Sequence, residues 1–265
     1  VMRMFWCLAA CGAFVAWLSA VGAASAQTAP NPAELVYTPI AGCRAFDTRA
    51  TAAIGSNQVR SFHVSGSSNF PGQGGPAHGC GVPGSAKAVS LSRISLSQAA
   101  AGYLTAFAYN AARPASVSLY YQRNLTIANA VIAPINQGNV SIFSSQQSHV
   151  AGDVTGYYAP PIGAIVFADG TLGSGAARIT QVQHGGTGSY TLYPDVDVGS
   201  CTVTATVDQE SYGTLIWART SPALSAPLGG TFPSALSFTL ARPTLSGSQV
   251  VMTPTDARFS FAVRC

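Results

Sequence analysis

Short runs rich in β-branched and aromatic residues recur along the chain, each cut off by Gly, Pro, Asn or Ser, and no helical period is sustained after the first 26 residues. In the first half such runs fall at 34–37, 58–64, 88–96, 102–109, 116–121, 126–134, 140–144 and 149–157. In the second half they fall at 164–168, 177–183, 188–193, 201–207, 214–219, 235–240, 249–253 and 259–264. Strands at this short spacing, with turn residues between them, predict an all-β fold rather than βαβ units, whose crossovers need helices of about ten residues. The segment 97–102, with three consecutive alanines, is too short to hold a helix alone. In the last run Phe259, Phe261 and Val263 share one face, and burying that row beside Cys201 predicts a sandwich.

The first 26 residues belong to another class. Arg3 precedes an apolar stretch that ends in Ala24, Ser25 and Ala26, the order of features in a cleaved export signal. Cleavage before Gln27 is the expectation; a lipid-attachment box ending at Cys11 is the alternative. Removing the segment leaves Cys43, Cys80, Cys201 and Cys265, an even set suited to two disulfides in an oxidising compartment. Pro160-Pro161 interrupts strand pairing and imposes an extended connection, so it divides the chain into modules at 27–159 and 162–265. Four cysteines allow three connectivities, and this boundary favours Cys43 with Cys80 and Cys201 with Cys265. The expectation is therefore two sandwich-like modules in tandem, immunoglobulin-like or jelly-roll-like.

Charge narrows the function further. Only 8% of residues are charged, Lys87 is the one lysine, and the net charge is +4. Binding nucleic acid needs a cluster of cations, which this sequence does not contain. Catalytic pairs are also scarce: the first module offers Glu34, Asp47 and Asp153, and the chain has no G-x-S-x-G elbow. His63, His149 and His184 are isolated, and His78-Gly79-Cys80 lacks the ligand spacing of a structural zinc site. Asp195, Asp197, Asp208 and Glu210 match no calcium loop. The Gly-rich stretches at 170–175 and 185–188 precede no helix and read as hairpin loops rather than phosphate cradles. No metal, cofactor or catalytic residue is expected.

Four ordered motifs in the first module carry a resemblance: Cys43-Arg44-Ala45-Phe46-Asp47-Thr48-Arg49, Cys80-Gly81-Val82-Pro83, Gly102-Tyr103-Leu104-Thr105 and Asp153-Val154-Thr155-Gly156-Tyr157-Tyr158. Together they resemble a β-rich domain of bacterial secreted and surface proteins, departing from it in lacking Pro before Cys43 and in ending on Tyr rather than Phe. The resemblance covers residues 37–158 and implies location and fold; no activity is established for the family. The second module looks like C-terminal β-modules that end in a Phe-containing strand and a final Cys.

Arg44, Asp47, Arg49 and Asp153 are expected to form a structural polar network, because a buried carboxylate or guanidinium must be paired. On an extended segment Asp47 and Arg49 would share a face, with Asp153 in reach from the closing strand. Tyr103, Tyr109, Tyr120 and Tyr121 are candidates for stacking on sugars, since an aromatic body with a polar tip suits an amphipathic ligand. Phe107 and Trp217 are expected in the core. The leading expectation is a non-enzymatic secreted or cell-surface protein, structural or adhesive, with surface polysaccharide or other surface proteins as partners and self-association through open sheet edges. A carbohydrate-binding module is the alternative, and an extracellular hydrolase ranks third.

Overall fold

The computed structural model describes residues 34–225 and 231–265; the expected export signal and Cys11 lie outside the described residues. Eight strands occupy the first half: β1 (Val36–Asp47), β2 (Gln58–His63), β3 (Ala88–Leu96), β4 (Gly102–Ala108), β5 (Leu119–Tyr121), β6 (Ile127–Pro134), β7 (Asn139–Ser144) and β8 (His149–Ala159). Eight more follow among the described residues: β9 (Ile162–Val166), β10 (Ile179–Gly186), β11 (Ser189–Pro194), β12 (Thr202–Val207), β13 (Leu215–Ser225), β14 (Thr231–Ser246), β15 (Gln249–Pro254) and β16 (Phe259–Arg264). The fold is all-β and every strand pairing is antiparallel.

Four open sheets result. The first half forms β1-β8-β3-β6 and β2-β7-β4-β5; the second forms β10-β11-β14-β13, with β15 beside β14, and β12-β16-β9. Period-two alternation assigns the faces, as in β16, where Phe259, Phe261 and Val263 are buried and the residues between them exposed. One apolar cluster draws on both sheets of the first half, including Phe46, Phe62, Leu91, Leu104, Ile142 and Val154. A second draws on both sheets of the other half, including Tyr190, Leu192, Phe238, Leu240, Phe259 and Phe261. Among the described residues no helix is long and apolar enough to cross a membrane.

Cys43 is bonded to Cys80, which pins the long β2–β3 connection to β1, and Cys201 is bonded to Cys265, which ties the start of β12 to the residue after β16. Gln73 in that connection also holds it in place. Its amide donates to the carbonyls of Ala45 and His63 and accepts from the His63 N–H, so one side chain completes the backbone pairing of two strands.

Two expectations about local structure fail. Asp47 and Arg49 do not share an extended face, because β1 ends at Asp47 and Arg49 lies in a short 3-10 turn, Thr48–Ala50, that the Asp47 carboxylate caps. Trp217 is not in the core: it is 49% exposed, because Ile216 and Ala218 take the inward positions of β13.

Candidate functional site

The sheet β2-β7-β4-β5 has one face on the core and an outer face covered by aromatic side chains. Phe62, Leu104, Leu119, Tyr121, Val140 and Ile142 turn inward and belong to the cluster. Alternation then turns Val59, Ser61, Tyr103, Thr105, Phe107, Tyr120, Ser141 and Phe143 outward. Register aligns them in rows: Val59, Phe143 and Thr105 are successive cross-strand neighbours, as are Ser61, Ser141 and Phe107. Tyr103 lies opposite Tyr120. The ring of Tyr103 is 5.7 Å from that of Phe143, centre to centre.

The connection from β4 to β5 arches over part of this face. Asn110, at φ 58°, reverses the chain. Thr105 Oγ1 donates to the Ser116 carbonyl at 3.0 Å, the Ala106 N–H donates to Ser118 Oγ at 3.0 Å, and Asn136 Nδ2 donates to the Tyr109 carbonyl at 3.0 Å. Held in this way, the connection places the Arg113 guanidinium 3.9 Å from the centre of the Phe143 ring, a cation–π contact. A cleft of about 310 Å³ opens beside it, lined by Val59, Ser61, Phe107, Tyr109, Arg113 and Ser141. Its walls combine aromatic rings, two serine hydroxyls and one cation. None of the four strands contains Asp or Glu.

Of the four candidate tyrosines, Tyr103, Tyr109 and Tyr120 reach this face or its cleft, and Tyr120 is 70% exposed. Tyr121 does not. It is buried, and its hydroxyl is held by Ser144 Oγ at 2.9 Å and the Gln146 carbonyl at 3.0 Å, so it cannot stack on a ligand. Phe107 is buried as expected, but on the outer face rather than in the core cluster. The sequence does not single out Phe143, and it gives Arg113, whose Arg113-Pro114 step fits the resemblance of the first module, no ligand-binding role. The alternation in Asn-Val-Ser-Ile-Phe-Ser gives Phe143 the phase of Ser141 and could have revealed it; Arg113 lies in a connection without periodicity.

The polar network forms elsewhere, along β1 and β8. Arg44 engages both carboxylate oxygens of Asp153 and, at 2.8 Å, Asp47 Oδ2. Arg49 closes a fork on Asp47 at 2.9 and 2.6 Å. The Arg49 hydrogen bonds hold the Asp47 carboxyl down at about 2, against the opposing pull of burial. Each acid is occupied by a guanidinium, which suits a clamp between strands and turn.

The remaining acids are dispersed. Asp195 pairs with Arg178 at 3.0 Å, Asp208 with Arg258 at 3.1 Å, and Asp197 accepts from the Gly199 N–H. His184 Nε2 meets Asp256 Oδ1 at 2.9 Å, and its ring stacks on Tyr190. Among the described residues no three His, Cys, Asp or Glu side chains converge to hold a metal ion. Compared with family models, curated proteins and solved structures, the chain matches none of them.

Proposed function

We propose that this chain is a non-enzymatic adhesive protein acting outside the cell, and that it holds polysaccharide on the aromatic face of β2-β7-β4-β5. The observation that carries the reading is the exposed Tyr120 ring beside half-buried Tyr103, with Phe143 and Phe107 buried behind them and the Arg113 guanidinium seated on Phe143. Aromatic faces stack on the C–H surfaces of sugar rings, and nearby hydroxyls and amides exchange hydrogen bonds with sugar hydroxyls. The export-like leader, the two disulfides and the resemblance of residues 37–158 to bacterial secreted and surface proteins support an extracellular setting. Two sheets sharing one core in each half support reading the chain as two sandwich-like modules.

The test is affinity gel electrophoresis of the full chain through a panel of soluble plant and bacterial polysaccharides, with Tyr120→Ala and Arg113→Ala beside it. Retardation by at least one polysaccharide, reduced in both variants, is the expected result. Equal mobility in every gel removes the reading.

A second reading, self-association, draws on the β14–β15 ribbon. From Arg242 to Pro254 it is exposed, with Leu245 79% and Val250 66% accessible, and residues 243–255 carry no charge to protect the edge. Sedimentation velocity over a hundredfold concentration range tests it; a single monomer boundary throughout counts against it.

A further inference from the structure

The outer face of the other large sheet presents a different arrangement. Leu192, Leu236, Phe238 and Leu240 turn into the core, so Thr191, Ser237 and Thr239 turn out. Trp217 is the direct cross-strand neighbour of Thr239, and Thr239 of Ser189. Arg219 is the neighbour of Ser237, Ser237 of Thr191, and Thr191 of Gln183. Two polar rows therefore run across the sheet, one headed by an indole and the other by a guanidinium. A shallow hollow of about 280 Å³ lies at their head, lined by Trp217, Ala218, Arg219, Ser237 and Thr239.

Two features point to an anionic ligand. The strands β10, β11, β13, β14 and β15 contain no Asp or Glu. Arg219 is exposed and, like several other arginines, has no ion-pair partner among the described residues, so its guanidinium is open to a ligand's charge. A large indole 49% open to solvent, with the hydroxyls of Thr239 and Ser237 beside it, suits a flat ligand with many hydroxyl groups. Side chains two positions apart on a strand stand about 7 Å apart, so a ring lying on Trp217 brings a substituent within reach of Arg219. A guanidinium binds a carboxylate through two parallel hydrogen bonds, which selects an acid over its neutral ester.

We propose that this face is a second saccharide site, specific for uronic-acid-containing polysaccharide, in which Trp217 stacks on the sugar ring and Arg219 binds the carboxylate. It stands on a sheet that shares no strand with the tyrosine face and does not depend on that reading.

The experiment measures binding of the full chain to oligogalacturonate, oligoalginate and hyaluronan fragments, each beside its methyl-esterified form, by titration calorimetry and by tryptophan fluorescence. At least one acid is expected to bind and to perturb the fluorescence, with its ester at least about tenfold weaker. Arg219→Gln should erase the preference for acid over ester. Trp217→Phe should abolish the fluorescence response, and Tyr120→Ala should leave it intact. Thermal melts confirm that these exposed substitutions leave the fold in place. No response to any of the three acids, equal affinity for acid and ester, or unchanged acid binding in Arg219→Gln overturns the proposal. A fluorescence response to oligothymidylate with none to the acids does so as well, by assigning the face to a different polyanion.

Discussion

Tyr103 and Tyr120 meet across the β4–β5 pair with ring centres 6.3 Å apart and planes tilted by 60°, on the side of the sheet turned away from the core. Tyr120 is 70% exposed, so removing its ring takes little from the fold. Tyr120→Ala should keep thermal stability within about 0.5 kcal/mol of the parent. Its polysaccharide affinity should fall about three- to tenfold. A large drop in melting temperature would instead make the ring a packing element.

Arg93 tests the core of the first half. It lies in the middle of β3, between Asn129 of β6 and Gly152 of β8, and is 1% exposed. None of its three guanidinium nitrogens finds a hydrogen-bond partner among the described residues. Burial pulls its pKa down to about 10. Because the folded value lies below the ordinary guanidinium range, the cost of the buried charge is fully present below pH 10 and is relieved as pH rises above it. Arg93→Met should raise stability at neutral pH by about 1 to 3 kcal/mol in urea denaturation. A less stable variant would show that the guanidinium is satisfied in the folded protein.

Acid should loosen the β1 clamp. The Asp47 carboxyl sits at about 2 in the folded chain against an ordinary 3.8, with Arg49 the main cause. Its contribution is therefore present above pH 3.8 and lost as pH falls through 2. Arg49 is 55% exposed on its side chain, so solvent screening keeps the effect small. Asp47→Asn should cost about 1 kcal/mol at pH 7 and flatten the stability profile between pH 4 and 2. An unchanged acid limb in urea melts at several pH values would contradict the assignment.

Gly152 is fixed by close approach. A Cβ there would lie 2.3 to 2.9 Å from ring carbons of Phe46, which itself stacks on Phe62 at 4.0 Å. Gly152→Ala should destabilise the chain by about 1 to 3 kcal/mol, measured by calorimetry. A neutral outcome would mean that the Phe46 ring has room to shift.

The two bridges should contribute separately. Closing loops of 37 and 64 residues corresponds to about 4 kcal/mol each in the chain-entropy account. Paired Cys→Ser variants, each removing one bridge, should each lose stability of that order. A loss confined to one pair would show that the other closes a loop already ordered in the unfolded chain.

What the sequence made legible follows from the length of each alternating run. In β16 six residues alternate without interruption, and the buried row Phe259, Phe261 and Val263 could be read directly. In β5 only three residues are paired, too few to set a phase, so Tyr120 and Tyr121 looked equivalent although one points out and the other in. Trp217 alone does not reveal its face, but Arg219, two positions on, shares its side of β13 and carries the phase. The cleft beside Arg113 depends on hydrogen bonds that tie a connection to β4 and to the β6–β7 turn, and no local pattern encodes those.

The most direct measurement is NMR of the labelled chain during titration with a polysaccharide that retards it in gels, following aromatic and arginine side-chain resonances. The account requires saturable shifts at Tyr103, Tyr120 and Arg113, with the buried Tyr121 ring little affected. Shifts confined to other surfaces, or none at saturation, would contradict it.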